Sequence, residues 1–227
     1  CCGMPQEYIE AHGVTVLPLG YTIAGETYGG IEGKQLPPKE FYRLLREGNV
    51  CHTFQVTAEQ AKPSVEASFK AGRGVVIVTF SSALSGTASS FTIAANELME
   101  KYPARKTFIV DSLGGSLGEG MLLEYLVKKA DAGASIEEVY AYGDWLRHRI
   151  AYLFTVDDLD CLRRGGRISG AVAVVGKLLK IKPLLHANPK GLLMPIAKIV
   201  GRKRSLEALA DEAAKRSDLS PEDPIYI

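Results

Sequence analysis

VVIVTFSSALSGT, residues Val75–Thr87, sets the architecture of this 227-residue chain. Val75 to Phe80 are apolar, β-branched or aromatic with a single Thr. Such a run reads as a strand buried on both faces, as parallel sheets require. It stops in Ser81, Ser82, Ser85, Gly86 and Thr87, and helix-compatible sequence follows. The end of a parallel strand feeding a helix N-terminus is where open α/β sheets bind ligands. Unpaired N–H groups and the helix dipole favour an anion there. The loop supplies hydroxyls and neither acid, base nor cysteine, which favours holding a polar head group over cutting a bond.

Outward from this stretch the pattern alternates. Thr107–Val110 is a second buried strand, followed by Asp111-Ser112 and a glycine-rich run to Gly120. Helices are expected over Pro37–Gly48, from Thr57 as N-cap to about Gly72, from the serine loop to about Tyr102, over 118–132, and from Ile136 to Ile150. Val14–Leu19 is a short strand candidate, Tyr21–Tyr28 a strand or hairpin arm, and Cys51–Gln55 a loop or short strand. Past residue 150 the expected order is a strand at Ala151–Val156, a helix at Asp157–Arg164 and a turn at 167–170. Apolar residues then repeat at helical spacing over Val172–Leu179. A hairpin follows around Asn188-Pro189-Lys190-Gly191, then a helix at Ser205–Arg216. The fold class is α/β in two domains. Residues 1–150 form a parallel-sheet domain carrying the ligand loops, and residues 151–227 an α+β domain with a hairpin and helices, which reads as cut short at its C-terminal end.

Hydrophobic content of 46% is ample for a core, and the longest apolar runs are far short of a membrane span. Cys1, Cys2, Cys51 and Cys161 fit no zinc spacing, so free thiols in a reducing cytoplasm are expected. Net charge is +1 but unevenly placed. Between Arg163 and Arg204 stand eleven Lys or Arg and no acid, leaving 16 basic against 26 acidic residues elsewhere. The asymmetry suggests a basic face meeting an anionic partner. Arg163, Arg164 and Arg167 cluster in five residues, with Lys198, Arg202, Lys203 and Arg204 as a second group. The basic segment holds no aromatic residue, so nucleic-acid bases have no stacking platform.

Ser85 sits in A-L-S-G-T, which lacks one glycine of a nucleophile elbow. A serine hydrolase acting on acyl esters is therefore the rival to oxyanion binding. The serines also suit turns and helix caps. Asp111-Ser112 and the glycines after them match neither nucleotide fingerprint. Asp111 suits capping of its loop, and Thr53 a structural role.

Three segments taken together resemble the DegV family: Phe80–Thr87, Val110-Asp111-Ser112 through Gly118-Glu119-Gly120, and Leu159 through Arg163-Arg164-Gly165-Gly166-Arg167-Ile168-Ser169. The resemblance spans essentially the whole chain. It implies two α/β domains that bind one long-chain fatty acid. It further implies presentation of that acid to a separate ATP-dependent kinase subunit, which forms an acyl phosphate for bacterial phospholipid synthesis. On that footing the chain is a ligand-presenting subunit and not catalytic alone. It carries no cofactor, with ATP and metal on the kinase, and has no nucleic-acid partner and no integral membrane segment. The carboxylate contacts implied are Thr53, Ser85 and Gly86, with Ser82, Phe54, Asp111 and Ser112 as further ligand-loop residues. Phe54 stands where the family usually has Ser. Arg163, Arg164, Arg167, Arg202 and Arg204 are the implied partner-docking residues. The physics agrees: charge-assisted hydrogen bonds hold a carboxylate, and each buried CH₂ contributes about 0.8 kcal/mol.

Overall fold

The computed structural model describes residues 2–31, 33–157, 159–168, 181–216 and 225–226. At its centre, β4 (Val75–Thr79) and β5 (Thr107–Asp111) pair in parallel, Val75 opposite Thr107 and Thr79 opposite Asp111. Period-two alternation sends their side chains to two different cores. Ile77, with Val75 and Ile109 beside it, packs against α3 (Ala58–Lys70) and α4 (Thr87–Lys101) around Val65, Phe69 and Phe91. Val110, with Val76 and Val78, packs against α5 (Ser116–Asp131) and α6 (Ile136–Leu146) around Leu122, Leu126 and Val139. Both faces of the pair are covered by helices, which is why the strand sequences are apolar without interruption. The α/β reading of the sequence holds.

Two helices, α3 and α6, start where side chains supply the missing acceptors. Thr57 and Ser135 each complete a capping box, with Gln60 and Glu138 respectively. Thr57 is thus the N-cap expected from the sequence. A second sheet precedes this layer: β1 (Gly20–Ile23) pairs with β2 (Glu26–Gly29) and with β3 (His52–Phe54), all antiparallel. Ala24 and Gly25 both have positive φ, the geometry of a tight two-residue hairpin. Helix α1 (Gln6–Ala11) precedes this sheet in sequence, and α2 (Pro38–Arg46) connects β2 to β3. Beyond α6, β6 (Leu153–Thr155) and the hairpin β7 (Ile181–Ala187)–β8 (Leu193–Val200) form a third, antiparallel sheet, against which α8 (Arg202–Arg216) lies. Between them α7 spans Asp160–Arg164. No helix among the described residues is long and apolar enough to cross a membrane.

Several expectations need correction. Val14–Leu19 joins no sheet among the described residues; ladder pairing begins at Gly20. The helix α1 was not foreseen, because its six residues bury only Ile9 and leave no periodic apolar face. Asp157 lies outside α7, whose N-cap is Leu159. The expected helix at Val172–Leu179 and the end of the turn at 167–170 lie outside the described residues.

One contact ties the β7–β8 hairpin to the central sheet. The buried Ser81 Oγ donates to the Gly191 carbonyl at 2.9 Å. Gly191 has φ +75°, and a Cβ there would stand 2.1 Å from Ser81 Oγ. Gly191→Ala is expected to destabilise the protein by about 1–3 kcal/mol. Urea unfolding checks this, with a lower midpoint at unchanged slope.

Candidate functional site

The loops leaving β4 and β5 lie side by side, because parallel strands end together. One carboxylate joins them. Asp111 Oδ1 accepts from the Ser82 N–H at 3.2 Å and the Leu113 N–H at 3.0 Å, and Oδ2 accepts from Ser82 Oγ at 2.5 Å. Leu113 is held at φ 58°, a left-handed conformation that ordinary side chains avoid. The Ser81 N–H donates to Gly114 O at 2.8 Å, a second link between the loops.

The hydroxyls divide into framework and presented groups. Ser81 and Ser112 are fully buried. Ser112 Oγ bonds within its own turn, donating to Gly114 O and accepting from the Gly114 N–H. Ser82 is exposed but committed to Asp111. Ser85 is half-buried; its Oγ lies 2.9 Å from Thr87 Oγ1 and accepts from the Thr87 N–H at 3.3 Å. Ser85 and Thr87 thus form a hydroxyl pair at the first turn of α4. The Gly86, Ala88 and Ser89 N–H groups there have no partner among the described residues. Thr87 was not singled out from the sequence; its place two residues after Ser85, at the helix start, was the available signal.

The serine loop is held from two further directions. Gln55 Nε2 donates to Ser90 Oγ at 3.0 Å, and its Oε1 stands 2.2 Å from where a Cβ on Gly86 would be. A side chain at Gly86 would have to push the Gln55 amide aside. Thr53, exposed and opposite Tyr21 in the β1–β3 ladder, lies two residues before Gln55. Phe54 pairs with Gly20, and its ring occupies the space a Cβ on Gly20 would need. Adjacent strand residues point to opposite faces, so the Phe54 ring does not share a face with Thr53. From the other direction, Arg167 Nε donates to the Leu84 carbonyl at 3.1 Å. Arg167 therefore supports the loop instead of standing free. Arg163 and Arg164 are exposed on α7, where Asp160 lies 3.3 Å from Arg163 and 3.9 Å from Arg164. Arg202 and Arg204 are exposed on α8.

The glycine-rich run after Asp111 seats aromatic rings. Cβ atoms at Gly114 and Gly118 would fall 2.2 and 2.3 Å from the Tyr152 ring, and one at Gly115 would fall 2.0 Å from Phe80. The Tyr152 hydroxyl donates to Ser112 O at 2.8 Å, and burial pushes its pKa above the usual phenol range. Sequence reading did not reach Tyr152, since nothing local marks it as the reason for two of these glycines. Asp111→Ala, which strips three donors of their acceptor, is expected to cost about 1–3 kcal/mol of stability. It should also broaden the Ser82–Gly86 amide resonances in an NMR spectrum.

The family model described as "Uncharacterised protein, DegV family" matches residues 1–227. A DegV domain-containing protein of Clostridium perfringens is 39% identical over 224 residues, covering 99% of this chain and 77% of the relative. Among solved structures, a DegV family protein from Thermus thermophilus described for its fatty acid binding superposes with a TM-score of 0.83 at 30% identity. The match covers 96% of this chain and 75% of that one. The Streptococcus pneumoniae fatty acid kinase B3 protein, loaded with linoleic acid, superposes with a TM-score of 0.78 at 26% identity, covering 88% and 69%.

Proposed function

The chain belongs to the DegV family, and on that premise we propose that it binds one long-chain fatty acid with the carboxylate at the Ser85–Thr87 turn and presents it to a separate ATP-dependent kinase subunit. The observation that carries the reading is the turn itself. The half-buried Ser85 hydroxyl and the buried Thr87 hydroxyl stand beside three N–H groups without a partner among the described residues at the start of α4, in a loop held by Gln55 and Arg167. An anion placed there gains charge-assisted hydrogen bonds and a favourable helix dipole. Thr53 is assigned as the second hydroxyl, two residues before the Gln55 that packs on Gly86. Ser82, Asp111 and Ser112 act as framework, because their polar groups are spent on each other and on the loop backbone.

A carrier of this kind has no need of its own acid–base pair, since the phosphoryl donor and metal belong to the kinase. The Ser85 hydroxyl fits that role. Its described partner is another hydroxyl, so among the described residues the serine-hydrolase reading has no histidine or carboxylate bonded to Ser85. Docking falls to Arg163 and Arg164 on α7, with Arg202 and Arg204 on α8. Arg167 is set apart by its bond to the Leu84 carbonyl.

Ser85→Ala is expected to weaken fatty acid binding roughly 10- to 100-fold, the worth of one hydrogen bond to a charged group. Solvent extraction and mass spectrometry of the purified protein reads this out. Full retention of lipid by the variant would displace the site from Ser85. Reversal of Arg163 and Arg164 to Glu is expected to leave bound lipid unchanged while cutting acyl-phosphate formation at least roughly tenfold at low ionic strength. A coupled assay with the kinase subunit in which the variant keeps the wild-type rate would remove these arginines from the docking face.

A further inference from the structure

Two thiols far apart in sequence meet beside the candidate site. Cys51 directly precedes β3, and the alternation of that strand puts it on the face of Thr53. Tyr21 shares this face, since it pairs with Thr53 across the β1–β3 ladder. Burial, and after it the Cys51 thiol, pushes the Tyr21 phenol up, so the two side chains are neighbours. Among the described residues β3 is an outer strand of its sheet, and Cys51 is half-buried at that edge.

Cys161 reaches the same edge on α7, where it is exposed and its Sγ accepts from Arg164 Nη2 at 3.5 Å. Two contacts draw α7 and β3 onto one loop. Arg167, just past α7, donates to the Leu84 carbonyl. Gln55, just past β3, packs on Gly86 and donates to Ser90 Oγ. The thiols carried by these two elements feel one another. Burial first and Cys161 second push the Cys51 thiol up, and an influence of that kind acts over about 4–6 Å. Cys2 stands apart from this pair, with its carbonyl against Gly120 on α5. Helix α7 buries none of its five residues, so tilting it costs little packing. A tilt is what brings two such Cβ atoms to the roughly 3.8 Å of a disulfide.

We propose that Cys51 and Cys161 are a reversible redox pair whose disulfide latches α7 to the edge of β3, over the Thr53 face. The oxidant is a low-molecular-weight disulfide. Cys161, the exposed member, loses its proton to solvent and attacks that disulfide, expelling one small thiolate and leaving a mixed disulfide. Cys51, deprotonated in turn, attacks the Cys161 sulfur and expels the second small thiolate. Both leaving groups take up a proton. Two protein thiols thus give two electrons and two protons to the small disulfide, which becomes two thiols. Arg164 stands where negative charge passes through the Cys161 sulfur. The half-buried position of Cys51 suits the resolving role, because it shields that thiol from the reagent. The latch holds the helix that bears Arg163 and Arg164 and closes the approach to Thr53. The closure matters for ligand exchange only on the fatty acid reading; the disulfide itself does not depend on that reading.

Treatment of the purified, reduced protein with glutathione disulfide, followed by tryptic digestion and mass spectrometry, tests the pair. The expected product is one cross-linked peptide pair joined through Cys51 and Cys161, formed within a single molecule and lost on adding dithiothreitol. Cys51→Ser is expected to trap Cys161 as its glutathione adduct. Separate adducts on the two cysteines of the unsubstituted protein would overturn the pair, and so would a link from Cys161 to any other cysteine. Release of labelled palmitate to albumin is expected to slow at least roughly tenfold in the oxidised protein and to recover with dithiothreitol. Unchanged release with the disulfide in place would overturn the closure. A protein that takes up no palmitate would overturn the fatty acid reading, while the cross-link still decides the latch.

Discussion

The Asp111 carboxylate is the constraint from which the candidate site follows. It accepts three hydrogen bonds, two from the loop after β4 and one from its own. Parallel pairing brings the two loop origins together, but pairing alone does not fix the loops against each other. The carboxylate does, and it consumes Ser82 in doing so. What remains for a ligand is the far end of the serine loop, where Ser85 and Thr87 meet the first turn of α4. The division between framework hydroxyls and presented hydroxyls is thus set by a single acidic residue.

The central layer was legible in the sequence because its signals are local. An uninterrupted apolar run means a strand covered on both sides, and the two cores on either face of β4 are that covering. The caps at Thr57 and Ser135 follow from side chains that reach only three residues. The hairpin at Asn188–Gly191 follows likewise: Asn188 Oδ1 accepts from the Lys190 and Leu192 N–H groups, a turn that short-range chemistry specifies. Ser85 and Gly86 could be singled out for the same reason, since a hydroxyl and a glycine at a strand-to-helix junction are visible in five residues.

The remainder depended on long-range contact. The glycines after Asp111 match no nucleotide fingerprint, and the cause of Gly114, Gly115 and Gly118 lies at Tyr152 and Phe80, which stand over them only after folding. Phe54 looked like bulk added to a head-group site. Its cross-strand pairing with Gly20 places it on the face away from Thr53. Val14–Leu19 has the composition of a strand, but a ladder also needs a neighbour at hydrogen-bonding distance. Arg167 reads in sequence as one of three equivalent arginines. Only the Leu84 carbonyl separates it from Arg163 and Arg164.

The seating of Tyr152 on Gly114 and Gly118 has a bearing on how such a sequence can drift. With Cβ positions 2.2 and 2.3 Å from the ring, neither glycine can gain even a methyl while the tyrosine stays. Loss of the tyrosine in turn opens a void over the loop and removes the donor that Ser112 O accepts. Each change alone is disfavoured, so the three positions are free to vary only as a set. Substitution histories in this part of the chain should therefore show positions 114, 118 and 152 changing together or staying fixed, although almost forty residues separate the tyrosine from the first glycine.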